Sequence, residues 1–190
     1  MASRNIVVVL GSPRKKGNST TLAKQVVAGA ESAGAQVETF FLQDMDIHAC
    51  KACDRCQKDI ALDCVVADDM QILYPKLRQA DAIVIASPIY WFTVSAQTKL
   101  FMDRCYALAG PQGYALSGKR FGIVLTYGDS DPFNSGAVNA LRTFQDGLHF
   151  VGAEIVGTVY GSASEPGEIA GNQALMDKAY QLGARLGSGT

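Results

Sequence analysis

The sequence predicts a doubly wound α/β fold, a five-stranded parallel sheet with helices on both faces. Three observations carry this expectation. Short β-branched runs alternate with longer amphipathic stretches along the whole chain. Three of those runs are apolar throughout, as strands covered on both faces are. The segments between them are long enough for the right-handed crossovers that parallel neighbours require.

The elements follow in order. Asn5–Leu10 is an unbroken apolar strand, and Ser19–Ala33 the helix after it. Gln36–Phe41 is mixed in character, as suits an edge strand. Asp68–Gln79 reads as a helix opening with two acids, which the positive end of its dipole favours. Ala82–Ala86 is the third strand, followed by a helix over Ser95–Leu108. Phe121–Thr126 and Glu154–Val159 complete the sheet, with helices expected over Ser135–Phe150 and Ile169–Leu186. Two segments break the rhythm: residues 42–67, rich in cysteine, and 127–134, polar and turn-forming.

Composition narrows the function. The 190 residues suit a single domain, 1–190, with 42–67 as a cysteine-rich loop. Hydrophobic residues at 48% against 18% charged exclude a disordered chain. Seventeen basic against eighteen acidic residues leave a charge of -1, which argues against nucleic acid as a partner. The opening apolar run, Ile6–Leu10, is too short for a signal-peptide core, and no run approaches the roughly eighteen residues of a membrane span. A cytoplasmic protein without a membrane partner is expected, its five cysteines serving as thiols or ligands before disulfides.

The first strand runs into Gly11-Ser-Pro-Arg-Lys-Lys-Gly-Asn-Ser-Thr20 and then a helix. Such a turn aims free backbone N–H groups past the strand's carboxyl end. Ser12, Ser19 and Thr20 add hydroxyls, Asn18 an amide and Arg14 a charge. The spacing fits neither a nucleoside-triphosphate loop, which needs a lysine where Asn18 stands, nor a three-glycine dinucleotide turn. A terminal phosphate suits it; a plain polar surface turn is the alternative.

After the third strand comes Ser87-Pro-Ile-Tyr-Trp-Phe-Thr-Val-Ser95. Three adjacent aromatics at the carboxyl end of a buried parallel strand cannot all be core, and doubly wound sheets keep their ligands at this edge. Together the two loops suit a phosphorylated, planar, aromatic ligand, closed from the other side by the loop from Tyr127. An oligomer interface would use the same aromatics.

Cys50, Cys53 and Cys56 are spaced by two residues each, and Cys64 follows after seven. Three thiolates at that repeat can wrap a 4Fe–4S cubane, with Cys64 as the fourth ligand. Zinc would more usually show two separated knuckles, and free thiols are the remaining alternative. Cys105, alone on a helix, reads as packing.

These motifs resemble the NADPH-dependent FMN reductase and iron–sulfur flavoprotein branch of the flavodoxin-like superfamily. The resemblance rests on Gly11-Ser-Pro-Arg14 with Gly17-Asn-Ser19, the cysteine run, Asp68-Asp-Met70, Ser87-Pro-Ile-Tyr90, and Ser95-Ala-Gln with Lys99 and Asp103-Arg104. It covers roughly residues 5–105. It implies a flavodoxin-like sheet of order 2-1-3-4-5 and FMN held with its phosphate on Ser12, Arg14, Asn18, Ser19 and Thr20. The ribityl chain and ring edge would lie along Pro88, Ile89, Tyr90 and Trp91, with Tyr127 and Gly128 near the pyrimidine end. It also implies a homodimer or homotetramer.

The expected activity is NAD(P)H oxidation through FMN, delivering electrons to a quinone, nitro compound, ferric chelate or free flavin. The cofactor supplies that chemistry, so no residue is assigned as a catalytic acid or base. Two other readings stand beside it: an iron–sulfur electron carrier fed by ferredoxin, and a non-catalytic flavin-binding regulatory module.

Overall fold

The computed structural model describes residues 3–58, 63–110 and 113–189. Five parallel strands form the sheet: β1 (Asn5–Leu10), β2 (Gln36–Phe41), β3 (Ala82–Tyr90), β4 (Arg120–Tyr127) and β5 (Glu154–Ser162). Their order is β2-β1-β3-β4-β5, with the pair Thr93–Val94 folded back onto the end of β3. The flavodoxin-like order expected from the sequence is the order found. Ile6 lies between Val37 and Ala82, and Ala86 faces Val124, so β1 and β3 form the middle of the sheet. The apolar runs Ile6–Leu10 and Ala82–Ala86 within them follow from that position, since neither face meets water there.

Side chains alternate between two cores, as the period of two requires. Val7, Val9, Ile83, Ile85, Ile123 and Leu125 face one layer. That layer comprises α2 (Met70–Gln79), α3 (Ala96–Arg104) and α4 (Ala137–Phe150). Ile6, Val8, Val84, Ala86 and Val124 face the other, made by α1 (Asn18–Ser32) and α5 (Gln173–Ser188). Those two helices touch closely: a β-carbon on Gly29 or Gly183 would overlap the opposite helix's backbone.

Several element bounds differ from expectation. The last helix begins at Gln173, with Ile169 in a separate 3-10 turn over Glu168–Gly171, and the fifth strand runs on to Ser162. The second helix begins at Met70 because Asp68 is drawn into an ion pair described below, and its carboxylate accepts the Met70 N–H at 3.1 Å. The third ends at Arg104 and tightens into a 3-10 turn over Cys105–Leu108. The third strand runs four residues past Ala86, carrying its own side chains into the ligand edge. Among the described residues no helix is long and apolar enough to cross a membrane.

A candidate functional cleft at the carboxyl edge of the sheet

The carboxyl ends of β1, β3, β4 and β5 open into a cleft of about 290 Å³. Its floor is the turn from β1 into α1. The chain at Gly11 passes so close to α3 that a β-carbon there would overlap the Thr98 hydroxyl. Around it Ser95, the N-cap of α3, donates from Oγ to the Gly11 carbonyl at 2.7 Å and accepts the Thr98 N–H at 3.2 Å. The Ser95 N–H reaches Ser87 Oγ at 3.0 Å. This fully buried hydroxyl cluster locks the first and third strand ends together and fixes the cleft's two sides.

Within the turn, the expected phosphate residues divide by what they already hold. Ser12 accepts the Arg14 N–H at 3.1 Å and donates to the Arg14 carbonyl at 3.2 Å, while Thr20 donates to the same carbonyl at 3.3 Å. These two hydroxyls shape the loop. Ser19 is different: the residue lines the cleft, and its Oγ is buried with no hydrogen-bond partner among the described residues. Helix α1 has no side-chain cap at Gly17 and no acid in its first turn, so its terminal N–H groups and dipole face the same space. Arg14 is exposed at the rim and enters no ion pair among the described residues. An anion is the partner these groups lack.

Asn18 lines the cleft, but its amide is engaged elsewhere. Nδ2 donates to the carbonyls of Ala163 (3.3 Å) and Glu165 (2.9 Å), and Oδ1 accepts from the Ile169 N–H at 3.3 Å. It moors the loop after β5 against the phosphate turn. That loop supplies Ala163, Ser164 and Pro166 to the cleft wall, residues that the sequence reading left out. Its shape is held by Glu168, whose carboxylate accepts the N–H groups of Ser164 and Glu165; these bonds hold its pKa below the usual carboxylate range.

Pro88, Ile89 and Tyr90 form one wall, and Thr126, Tyr127 and Gly128 the other. Burial raises the Tyr127 phenol's pKa, with Tyr160 and Asp131 acting the same way, so it stays a neutral hydrogen-bonding group. Trp91 departs from the expected set and does not line the cleft. One residue past Tyr90 the chain reverses in a two-residue hairpin, which turns the indole out to solvent with 91% of its surface exposed.

The cysteine segment lies outside the cleft lining. Cys50 and Cys53 are exposed, while Cys56 and Cys64 are half-buried against the core. The donor set is chemically right for an iron–sulfur cluster. As folded, however, no three thiols, imidazoles or carboxylates gather as a metal site among the described residues. The segment is pinned by Arg104. Its guanidinium forms a bidentate pair with Asp68 and donates from Nη1 to the His48 carbonyl at 2.9 Å. Asp68 in turn accepts the His48 N–H at 2.9 Å. Cys105 is half-buried, and burial pushes its thiol up to about 12, which makes it inert as a nucleophile.

A parallel sheet of this strand order with a cleft along its carboxyl edge defines a flavodoxin-like fold. Solved structures agree on the fold. The NAD(P)H:quinone oxidoreductase of Methanothermobacter marburgensis superposes with a TM-score of 0.77 at 20% identity, over 97% of this chain and 96% of that one. Residues 4–165 match the NADPH-dependent FMN reductase family, and the chain belongs to it. It is thus an FMN-dependent oxidoreductase of the NAD(P)H-using class. An iron-sulfur flavoprotein of Archaeoglobus fulgidus is 33% identical over 95% of this chain and 77% of its own. An FMN-dependent NADH:quinone oxidoreductase of Leptothrix cholodnii is 32% identical over 66% of this chain and 62% of its own.

Proposed function

We propose that FMN occupies the cleft with its phosphate at the α1 N-terminus, and that electrons leave it for a small acceptor of the quinone type. The observation that carries this is the unpartnered, buried Ser19 hydroxyl beside an uncapped helix end, facing a wall of Ile89, Tyr90 and Tyr127. Ser19, the backbone N–H groups of the first α1 turn and Arg14 hold the phosphate. Ser12 and Thr20 hold the loop, and Asn18 holds the wall opposite. Pro88–Tyr90 exclude water from one side of the ring, and Tyr127–Gly128 border the other. When bound, FMN supplies the hydride and electron transfer, while the chain fixes its orientation and polarity. The name of the Leptothrix relative supports a quinone as acceptor.

The test is anaerobic purification followed by mixing with NADPH and, separately, NADH. A yellow holoprotein whose flavin bleaches rapidly with either donor is expected. A colourless chain that also refuses added FMN would end this reading. The names of the Archaeoglobus relatives favour a second one, in which the cysteine segment holds an iron–sulfur cluster; ferredoxin as the electron donor is part of that proposal alone. About four irons per chain would establish it; an iron-free holoprotein would leave the reductase alone.

A further inference from the structure

The Arg104 guanidinium has one edge to spare. Nη1 and Nη2 are taken up by Asp68 and the His48 carbonyl. Nε is buried and has no hydrogen-bond partner among the described residues, in a side chain with no solvent-exposed surface. A charged donor left in that state is costly, and Arg104 does not line the cleft at the carboxyl edge.

Two groups from neighbouring segments lie beside it. Tyr74 of α2, fully buried, donates from Oη to the Arg104 carbonyl at 3.2 Å. The Cys64 thiol is within hydrogen-bonding reach of the same phenol and within the field of the guanidinium. The backbone at Cys64 is fixed as well, because the Gln71 side-chain amide donates to the Cys64 and Val66 carbonyls at 2.8 and 2.9 Å. A thiol can give its hydrogen to the phenol oxygen. A metal-bound thiolate has only lone pairs and must accept; the spare Nε–H and the phenol hydrogen are the donors it would need.

The loop that carries the other thiols suits the same chemistry. The Ala52 N–H donates to Cys50 Sγ at 3.5 Å. Ala52 and Asp54 flank Cys53 with left-handed φ of 49° and 54°, a strained backbone for residues other than glycine. Turns of mixed hand point N–H groups at a shared anion, as many iron–sulfur sites do. Cys50 and Cys53 are exposed, whereas Cys64 packs against the core. Cys64 is thus the fixed point toward which the loop's thiols would be drawn.

We infer that Arg104 and Tyr74 are positioning residues for an iron–sulfur cluster: they seat the Cys64 sulfur and draw charge from it. This rests on the second reading above, in which the cysteine segment holds a cluster, and names what would set its potential. Reduction adds negative charge, which a buried cation and donors at a ligating sulfur favour, so the seat raises the reduction potential.

The experiment uses the FMN-containing chain isolated anaerobically and reloaded with ferrous iron and sulfide. Iron, flavin and the cluster's midpoint potential are measured for the wild type, for Tyr74→Phe, and for Arg104→Met combined with Asp68→Leu. Lys99→Met, which removes an exposed cation from the same helix, is the control. In Tyr74→Phe and in the paired change, reduction should become about tenfold less favourable, the low end for a hydrogen bond to a charged group, or ~59 mV more negative for one electron. Lys99→Met should match the wild type. Loss of iron from the first two with flavin kept would also support the seat, and should the paired change fail to fold, Tyr74→Phe decides. Unchanged potentials in the loaded variants would overturn the seat, as would a Cys64→Ala chain that keeps its full iron. An equal fall in Lys99→Met would overturn it too, by making the effect one of net charge. A wild-type chain that takes up no iron ends the cluster reading and the seat with it, and leaves the FMN reading to its own test.

Discussion

Arg104 and Asp68 meet as a bidentate ion pair with both side chains wholly out of solvent, and that pair moors the cysteine segment to the end of α3. Removing one partner leaves the other's charge buried and uncompensated, at a cost of about 3–5 kcal/mol. Arg104→Met should therefore lower stability to urea by that order. Replacing both, as Arg104→Met with Asp68→Leu, should recover much of the loss, because no charge is left alone. Equilibrium denaturation of the two variants checks the difference.

The same pair sets an acid limit. Burial works to raise the Asp68 pKa, but the Arg104 guanidinium and the N–H groups of His48 and Met70 outweigh it and hold it below the ordinary 3.8. A depressed carboxylate contributes stability above its unfolded pKa and loses it as pH falls through the folded one. Stability should fall below about pH 4, and Asp68→Asn, already weaker at neutral pH, should show a shallower fall. Denaturation midpoints between pH 6 and pH 3 test the slope.

Ser19→Ala isolates the phosphate contact. The hydroxyl has no partner in the folded chain, so its loss should leave flavin-free stability unchanged or slightly higher. A hydrogen bond to a charged group contributes about 1.5–3 kcal/mol, so FMN should bind roughly 10- to 100-fold more weakly. Flavin fluorescence titration reads the affinity, and thermal melting of the flavin-free chain reads the control.

Asn18→Asp separates mooring from phosphate contact. The carboxylate could still accept from Ile169, but it would set negative charge against two carbonyls that now receive hydrogen bonds. Unlike Ser19→Ala, this change should lower flavin-free stability, by about 1–3 kcal/mol, as well as FMN affinity. Melting and titration of the two variants side by side distinguish the roles.

At the floor of the cleft, Gly11→Ala should cost about 1–3 kcal/mol, because the new methyl overlaps the Thr98 hydroxyl. Adding Thr98→Ala clears that overlap and should restore part of the loss. Thermal melts of the single and double variants decide it.

The sheet was legible because burial on both faces forces a visible signature, the unbroken apolar runs of β1, β3 and β4. The turn from β1 into α1 stood out because its residue types are unusual for a loop. Residues whose role depends on contacts across long stretches of chain were harder to see. Nothing local marks Arg104 as buried, since its partner lies thirty-six positions away. Asn18 advertised an amide, but not that carbonyls some 145 residues later would take it. The wall from Ala163 to Pro166 carried one faint signal, a cluster of glycine, serine and proline after the fifth strand. Nor does anything local mark Trp91 as exposed: the reversal after Tyr90 leaves 91% of its surface in solvent.

The mooring of Asn18 also bears on how the molecule is made. The turn proposed to hold phosphate is synthesised early, but the carbonyls that steady it belong to residues 163 and 165. A nascent chain leaving the ribosome thus carries this turn unmoored through most of translation, until the residues after the fifth strand arrive to receive the Asn18 amide.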